Sequence, residues 1–269
     1  MCDIPHPFHE PSGMAYWQWG GRMYIKKHIL EDYKKEIPYM TDWYTDELYI
    51  NGIGKPLVAP VSRLICDMER YKDDNKEAMS IIGMGVCYTH NHNLETLATY
   101  KLEHRQNMIE KYYDPYHRTL SQYTEEALGE HKYALVLDCH SFSDSPYKCD
   151  INRAYGRSDI CIGTDSVHTP ELLIDILVGY FKNYGYSVKL NNPFSGTMIP
   201  VGYENNPNLY SVMIEVNRNL YLDWNSGNVK KKEKEFAVLK HRIHKAEKLI
   251  ASFVDSRCQE EADFKHEAK

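Results

Sequence analysis

The 269 residues suffice for a full hydrophobic core and lie near the upper edge of what one domain usually holds. Hydrophobic residues at 42% and charged residues at 26% strike the balance of a globular protein and exclude disordered and fibrous classes. The net charge of -6 comes with 32 basic residues spread along the chain, so there is no concentrated positive field and nucleic acid is not an expected partner.

Residues 1–30, rich in His, Pro, Gly and Trp, have no clear period and read as loop with one strand at most. Thr41 to Tyr49 places a capping residue and acidic side chains ahead of apolar positions, the pattern of a first helical turn. Pro56–Val61 and Leu64–Cys66 read as a strand interrupted at Pro60, and Gly83–Tyr88 as another. From about Asn93 to His131 the spacing of Leu, Met, Ile and Tyr predicts a long helix feeding the strand Tyr133–Asp138. A strand at Asp159–Gly163, an amphipathic helix at Pro170–Tyr184 and strands at Tyr186–Leu190 and Ser211–Asn217 follow. Beyond Lys230 a charged amphipathic helix runs to about Phe253, with residues 255–269 as a polar tail. Strands alternating with helices predict an α/β fold, in one domain spanning 1–269.

The seven cysteines form no C-x-x-C pair, and an odd number makes a disulfide framework or a cysteine zinc site a poor reading, so they are taken as buried apolar residues. The 22 tyrosines are scattered and serve strands and core. The start Met1-Cys2-Asp3-Ile4-Pro5-His6 lacks a signal-peptide pattern. No run approaches the ~20 apolar residues of a membrane span, so a cytoplasmic protein without a membrane partner is expected.

In open α/β sheets reactive groups gather at the carboxyl ends of strands, and that rule selects three places. In Leu135–Phe142 an apolar strand runs into His140, where an imidazole on a rigid strand end is either a zinc ligand, oriented by a carboxylate such as Asp138, or a structural histidine. Glu215 interrupts the apolar strand Val212–Asn217. A carboxylate is costly to bury there without a function or an ion pair, for which Arg218 and Arg70 are the candidates. The third place is Leu64–Arg70, a strand ending in charge or a solvated loop.

Taken together, LVLDCHSF, VMIEVNRNLY, RLICDMER and TDWYTDELY resemble the N-formylglutamate amidohydrolase family. GMGVCYT, YYDPYH, DICIGTD and FSGTMIP extend the resemblance from about Thr41 to Asp223, beyond what any single motif would support. It implies a zinc carboxypeptidase-like (phosphorylase/hydrolase-like) α/β domain, also similar to aspartoacylase, with a mixed twisted sheet flanked by helices. The implied activity is hydrolysis of the amide of a small N-formyl or other N-acyl acidic amino acid, with zinc or another divalent ion as cofactor.

By the same resemblance His140 is a metal ligand, Glu215 activates water, and Arg70 matches the arginine of an Asp-Leu-Asn-Arg motif, here Asp67-Met68-Glu69-Arg70. His6, in Ile4-Pro5-His6-Pro7-Phe8, is the expected first ligand, with His9 as rival. Asp42 is the expected acidic ligand, with Asp46 as runner-up. The guanidinium forks of Arg70 and Arg218 suit substrate carboxylates, and Asn217 is placed as a further contact. The Ser195-Gly196-Thr197 segment is either a loop that closes over substrate through Thr197 or a simple turn. Rival readings are another N-acyl amino acid or small peptide as substrate, and a catalytically silent binding protein. Serine or cysteine nucleophile chemistry at Ser141 or Cys139 lacks a Gly-x-Ser-x-Gly elbow.

Overall fold

The computed structural model describes residues 27–97, 99, 102–225 and 228–267. Helices α1 (Lys27–Met40) and α2 (Thr45–Tyr49) come first, then a long irregular stretch, and then α3 (Leu102–Met108) and α4 (Asp114–His131). Next are β1 (Ala134–Phe142), β2 (Ile160–Gly163), α5 (Glu171–Asn183), β3 (Val188–Leu190), β4 (Leu209–Asn217), β5 (Leu222–Asn225), β6 (Asn228–Lys231) and α6 (Glu233–Glu267). The main sheet has the order β1-β4-β2-β3, with β1 parallel to β4, β2 antiparallel to β4 and β3 parallel to β2. This is the mixed α/β single domain that the sequence predicts.

Side-chain alternation along β4 divides the sheet into two faces. Val212, Ile214 and Val216 point into the main core with Ile160 and Ile162 of β2, and Leu173, Leu177 and Phe181 of α5 and Leu239 and Ile243 of α6 cover them. Each of these large apolar side chains, buried from water, contributes about 1.5–3 kcal/mol. At one end of the opposite face Ala134, Val136 and Leu209 pack on Leu120 of α4. Further along that face the residues become ionisable.

Two expected strands are absent. Residues 56–66 and 83–88 are irregular chain apart from isolated bridges such as Met84 to Tyr88. Pro56 and Pro60 cannot donate ladder hydrogen bonds, and Gly83 takes a left-handed turn with φ 77°. These segments are nonetheless apolar because Ala59, Cys66, Val86 and Cys87 pack on Met108, Ile109 and Tyr113. The helix expected from Asn93 begins only at Leu102, continues through a π-helical segment at Ile109–Tyr113 and ends at His131. The β5–β6 hairpin has no counterpart in the expected elements. Helix α6 continues past Phe253 to Glu267, through Gln, Glu, Ala and Lys with no Gly or Pro to stop it. Among the described residues no helix is long and apolar enough to cross a membrane.

One buried acid on α6 ties stability to pH. Glu247 is 8% exposed, accepts a hydrogen bond from the Asn51 side chain, and burial pushes its carboxyl up to about 8. An acid whose folded pKa lies above its unfolded value stabilises the fold at low pH. That contribution falls away as pH rises from the unfolded value through about 8. Glu247→Gln keeps an acceptor for Asn51 and cannot ionise. It is expected to raise Tm by several degrees at pH 8.5 and to leave it unchanged at pH 4, measured by thermal melts. A shift that is the same at both pH values would contradict this.

Candidate active site

Strands β1 and β4 set the site through their register. His140 is the Cα partner of Glu215, and Asp138 that of Met213. Paired residues on neighbouring strands, about 4.8 Å apart, project from the same face, so His140 and Glu215 stand side by side. His140 is 5% exposed and Glu215 7% exposed.

The imidazole lies between carboxylates. Its Nε2 is 2.9 Å from Asp138 Oδ1 and 3.6 Å from Glu69 Oε2, and its Nδ1 is 3.3 Å from Asp42 Oδ2. Burial disfavours the imidazolium, yet Asp138, Glu69 and Asp42 outweigh it and raise the histidine well above its ordinary value. Asp138 is held in turn by the Met198 amide, which donates to its Oδ2 at 2.9 Å. Among the described residues, Glu69, Asp138 and His140 form a group of three whose ligand atoms lie within 4.8 Å of one another.

Asp42 sits in the turn between α1 and α2, where Tyr44 adopts φ 60° and the Thr45 hydroxyl donates to the Asp42 carbonyl at 3.0 Å. A left-handed residue other than glycine costs about 1–2 kcal/mol, which the contacts of the neighbouring carboxylate offset. Arg218 Nη2 donates to Asp42 Oδ1 at 2.8 Å, Arg63 Nη2 to Oδ2 at 3.0 Å, and the Ser141 hydroxyl to Oδ1 at 3.0 Å. Burial alone would raise the carboxyl. The pull of Arg63, His140 and Arg218 holds it well below the usual carboxylate range.

Glu215 is in a different condition. Its Oε2 is buried with no hydrogen-bond partner among the described residues, and burial pushes its carboxyl up to about 7, against the opposing pull of His140. The ion pairs considered for it go elsewhere: Arg218 to Asp42 and Arg70 to Asp67, the latter at 3.5 Å. A buried carboxylate with a free oxygen beside an imidazole is suited to moving a proton.

The family model for N-formylglutamate amidohydrolase matches residues 21–222, well over half of the chain. The chain belongs to the N-formylglutamate amidohydrolase family. It is 28% identical over 195 residues to a protein named N-formylglutamate deformylase from Pseudomonas aeruginosa, a match covering 68% of this chain and 71% of the relative. The crystal structure of N-formylglutamate amidohydrolase from Ralstonia eutropha JMP134 superposes with a TM-score of 0.68 at 22% identity, over 82% of this chain and 85% of the other. A gene product of Agrobacterium tumefaciens superposes at 0.50 and 18% identity, covering 72% of this chain and 71% of the other. Both likenesses bear on the fold.

On this N-formylglutamate amidohydrolase scaffold the structure brings Asp42, His140, Glu215 and Arg218 into one cluster, with Arg70 in the loop that carries Glu69. His6 and its rival His9 lie outside the described residues. Asp46 lies in the first turn of α2 and, among the described residues, makes no hydrogen bond or ion pair to the cluster through its side chain. Arg218 uses its guanidinium on Asp42, Ser141 and the Tyr39 carbonyl, and so braces the site. The Asn217 amide donates to Asp144 at 3.1 Å and to the Ser158 carbonyl at 3.3 Å. The Thr197 hydroxyl lies 2.8 Å from that of Ser211, in a turn fastened to β4. Arg70, whose guanidinium meets Asp67 only at 3.5 Å, is the least committed of these cations.

Glu69 and Arg63 were missing from the expected site. Both lie in the Arg63–Arg70 motif, and the signal was the replacement of asparagine by a carboxylate two residues after Asp67. Beyond the ends of β1 and β4 a cavity of about 350 Å³ opens, walled by Tyr39, Tyr147 and Trp224 with Asp144 and Arg218 at its polar side.

Proposed function

We propose that the chain hydrolyses the amide bond of an N-formyl acidic amino acid such as N-formylglutamate, releasing formate and the amino acid, with zinc or another divalent ion at His140. The observation that carries this reading is the buried Glu215 carboxylate, in register with His140 and with its Oε2 unpartnered among the described residues. The names of the relatives support the substrate.

The donor chemistry fits a divalent ion: one imidazole and two carboxylates converge, a three-ligand set of the kind that leaves a coordination position open. Two sets share His140. Glu69 and Asp138 face its Nε2, with Asp42 orienting the ring through Nδ1. His6 with Asp42 is the set that the resemblance implies. When bound, such an ion supplies Lewis acidity and lowers the pKa of water toward ~7. Glu215 takes the proton from the attacking water and delivers it to the departing amine nitrogen, which must be protonated before the amide breaks. Arg70 holds a substrate carboxylate.

A screen of N-formyl and N-acetyl amino acids, with and without a chelator, tests the reading. The expected result is chelator-sensitive turnover favouring N-formylglutamate, with Arg70→Ala raising KM for acidic substrates about tenfold or more, since a charge-assisted hydrogen bond contributes about 1.5–3 kcal/mol. Turnover indifferent to the chelator, or an unchanged preference in the variant, would oppose it. The aromatic walls of the cavity favour a second reading, a larger N-acyl amino acid, which the same screen would reveal.

A further inference from the structure

Cys66 and Cys87 lie in one buried cluster and their thiols act on each other, while the Cys66 S–H donates to the Met108 carbonyl at 3.9 Å. The backbone sets this contact: the Asp67 amide donates to the Val86 carbonyl at 2.8 Å, which draws the two cysteine-bearing segments together. One residue further along each segment, the Tyr88 hydroxyl donates to Asp67 Oδ2 at 2.6 Å. Both cross-links run from Asp67, next to Cys66, to the residues on either side of Cys87, and neither involves a sulfur. Cys66 is fully buried, and Cys87 retains 8% exposure. The Arg105 guanidinium acts on both sulfurs, but the Cys87 thiol and burial raise Cys66, so Cys87 is the one that ionises more readily. Cys87 is lowered chiefly by the neighbouring Cys66 thiol and further by Arg105, against burial and Asp74. By contrast, burial pushes Cys149 up to about 12 and Cys161 up to about 11.

We propose that Cys66 and Cys87 form a reversible disulfide when the protein meets hydrogen peroxide, a neutral oxidant small enough to reach a nearly buried sulfur. The Cys87 thiolate attacks one peroxide oxygen and the O–O bond breaks. Cys87 becomes a sulfenic acid, and the displaced hydroxide takes the thiol's proton to leave as water. The Cys66 sulfur then attacks the Cys87 sulfur, and the sulfenic hydroxyl departs with the Cys66 proton as a second water. Two thiols lose two electrons, and one peroxide accepts both. The new bond closes the segment that carries Glu69 and Arg70, so the oxidised chain holds that loop more tightly.

The test is peptide mapping of the full chain after graded peroxide treatment, with remaining thiols alkylated in denaturant. The expected product joins the Cys66 and Cys87 peptides, lighter by two hydrogens and reversed by dithiothreitol, before Cys139, Cys149 or Cys161 reacts. Cys66→Ser should leave a Cys87 sulfenic acid that dimedone traps, and Cys87→Ser should leave Cys66 reduced. Should either variant fail to fold, the wild-type map decides. Cys66 and Cys87 remaining alkylatable while other cysteines oxidise, or each oxidising without a cross-link, would overturn the proposal. None of these measurements depends on turnover.

Discussion

Glu215→Gln is expected to lower kcat by about 10²–10⁴-fold, the usual contribution of a positioned general base, while metal content and thermal stability stay near those of the parent. Gln matches Glu in shape, so the β4 register and the packing of Val212, Ile214 and Val216 are undisturbed. What disappears is the ability to accept a proton beside His140. No hydrogen bond to Oε2 is lost, because that atom has none among the described residues. Stopped assays with an N-formyl amino acid, together with elemental analysis, would check this. Turnover within a few-fold of the parent would remove Glu215 from the mechanism.

Asp42→Ala is expected to cost about 3–5 kcal/mol of folding stability, the range for removing one partner of a buried ion pair. Asp42 is 3% exposed, and its loss removes one carboxylate partner from each of Arg218, Arg63 and the Ser141 hydroxyl. The same charges fix the pH dependence. A carboxyl held below its ordinary range stabilises the fold above that range and ceases to do so as pH falls through its folded value. The parent should therefore lose stability in acid more steeply than the variant. Urea denaturation at pH 7 and at about pH 2 measures both effects, and a midpoint at pH 7 unchanged by the substitution would contradict the role assigned to Asp42.

Much of this site was legible because β1 and β4 carry strong apolar patterns broken at Asp138, His140 and Glu215, and such interruptions are costly without a purpose. What the strand pattern does not encode is lateral register, and register is what sets His140 beside Glu215. Glu69 was obscured because it lies in irregular chain, where no period shows which side chains converge. Arg218 was assigned to substrate because the guanidinium fork suits any carboxylate, and the structure supplies one from within at Asp42. The strands expected at 56–66 and 83–88 failed for a related reason: a short apolar run shows burial without showing hydrogen-bond pairing. Those segments owe their apolarity to packing on Met108, Ile109 and Tyr113.

The central claim is that a divalent ion is held at His140 within reach of Glu215, and elemental analysis of the purified chain beside its His140→Ala variant tests it most directly. The account predicts about one equivalent of zinc or a similar ion in the parent, retained through desalting, and none in a variant that still melts cooperatively. A parent that hydrolyses N-formylglutamate with no bound metal, or a His140→Ala variant that keeps its full equivalent, would contradict it.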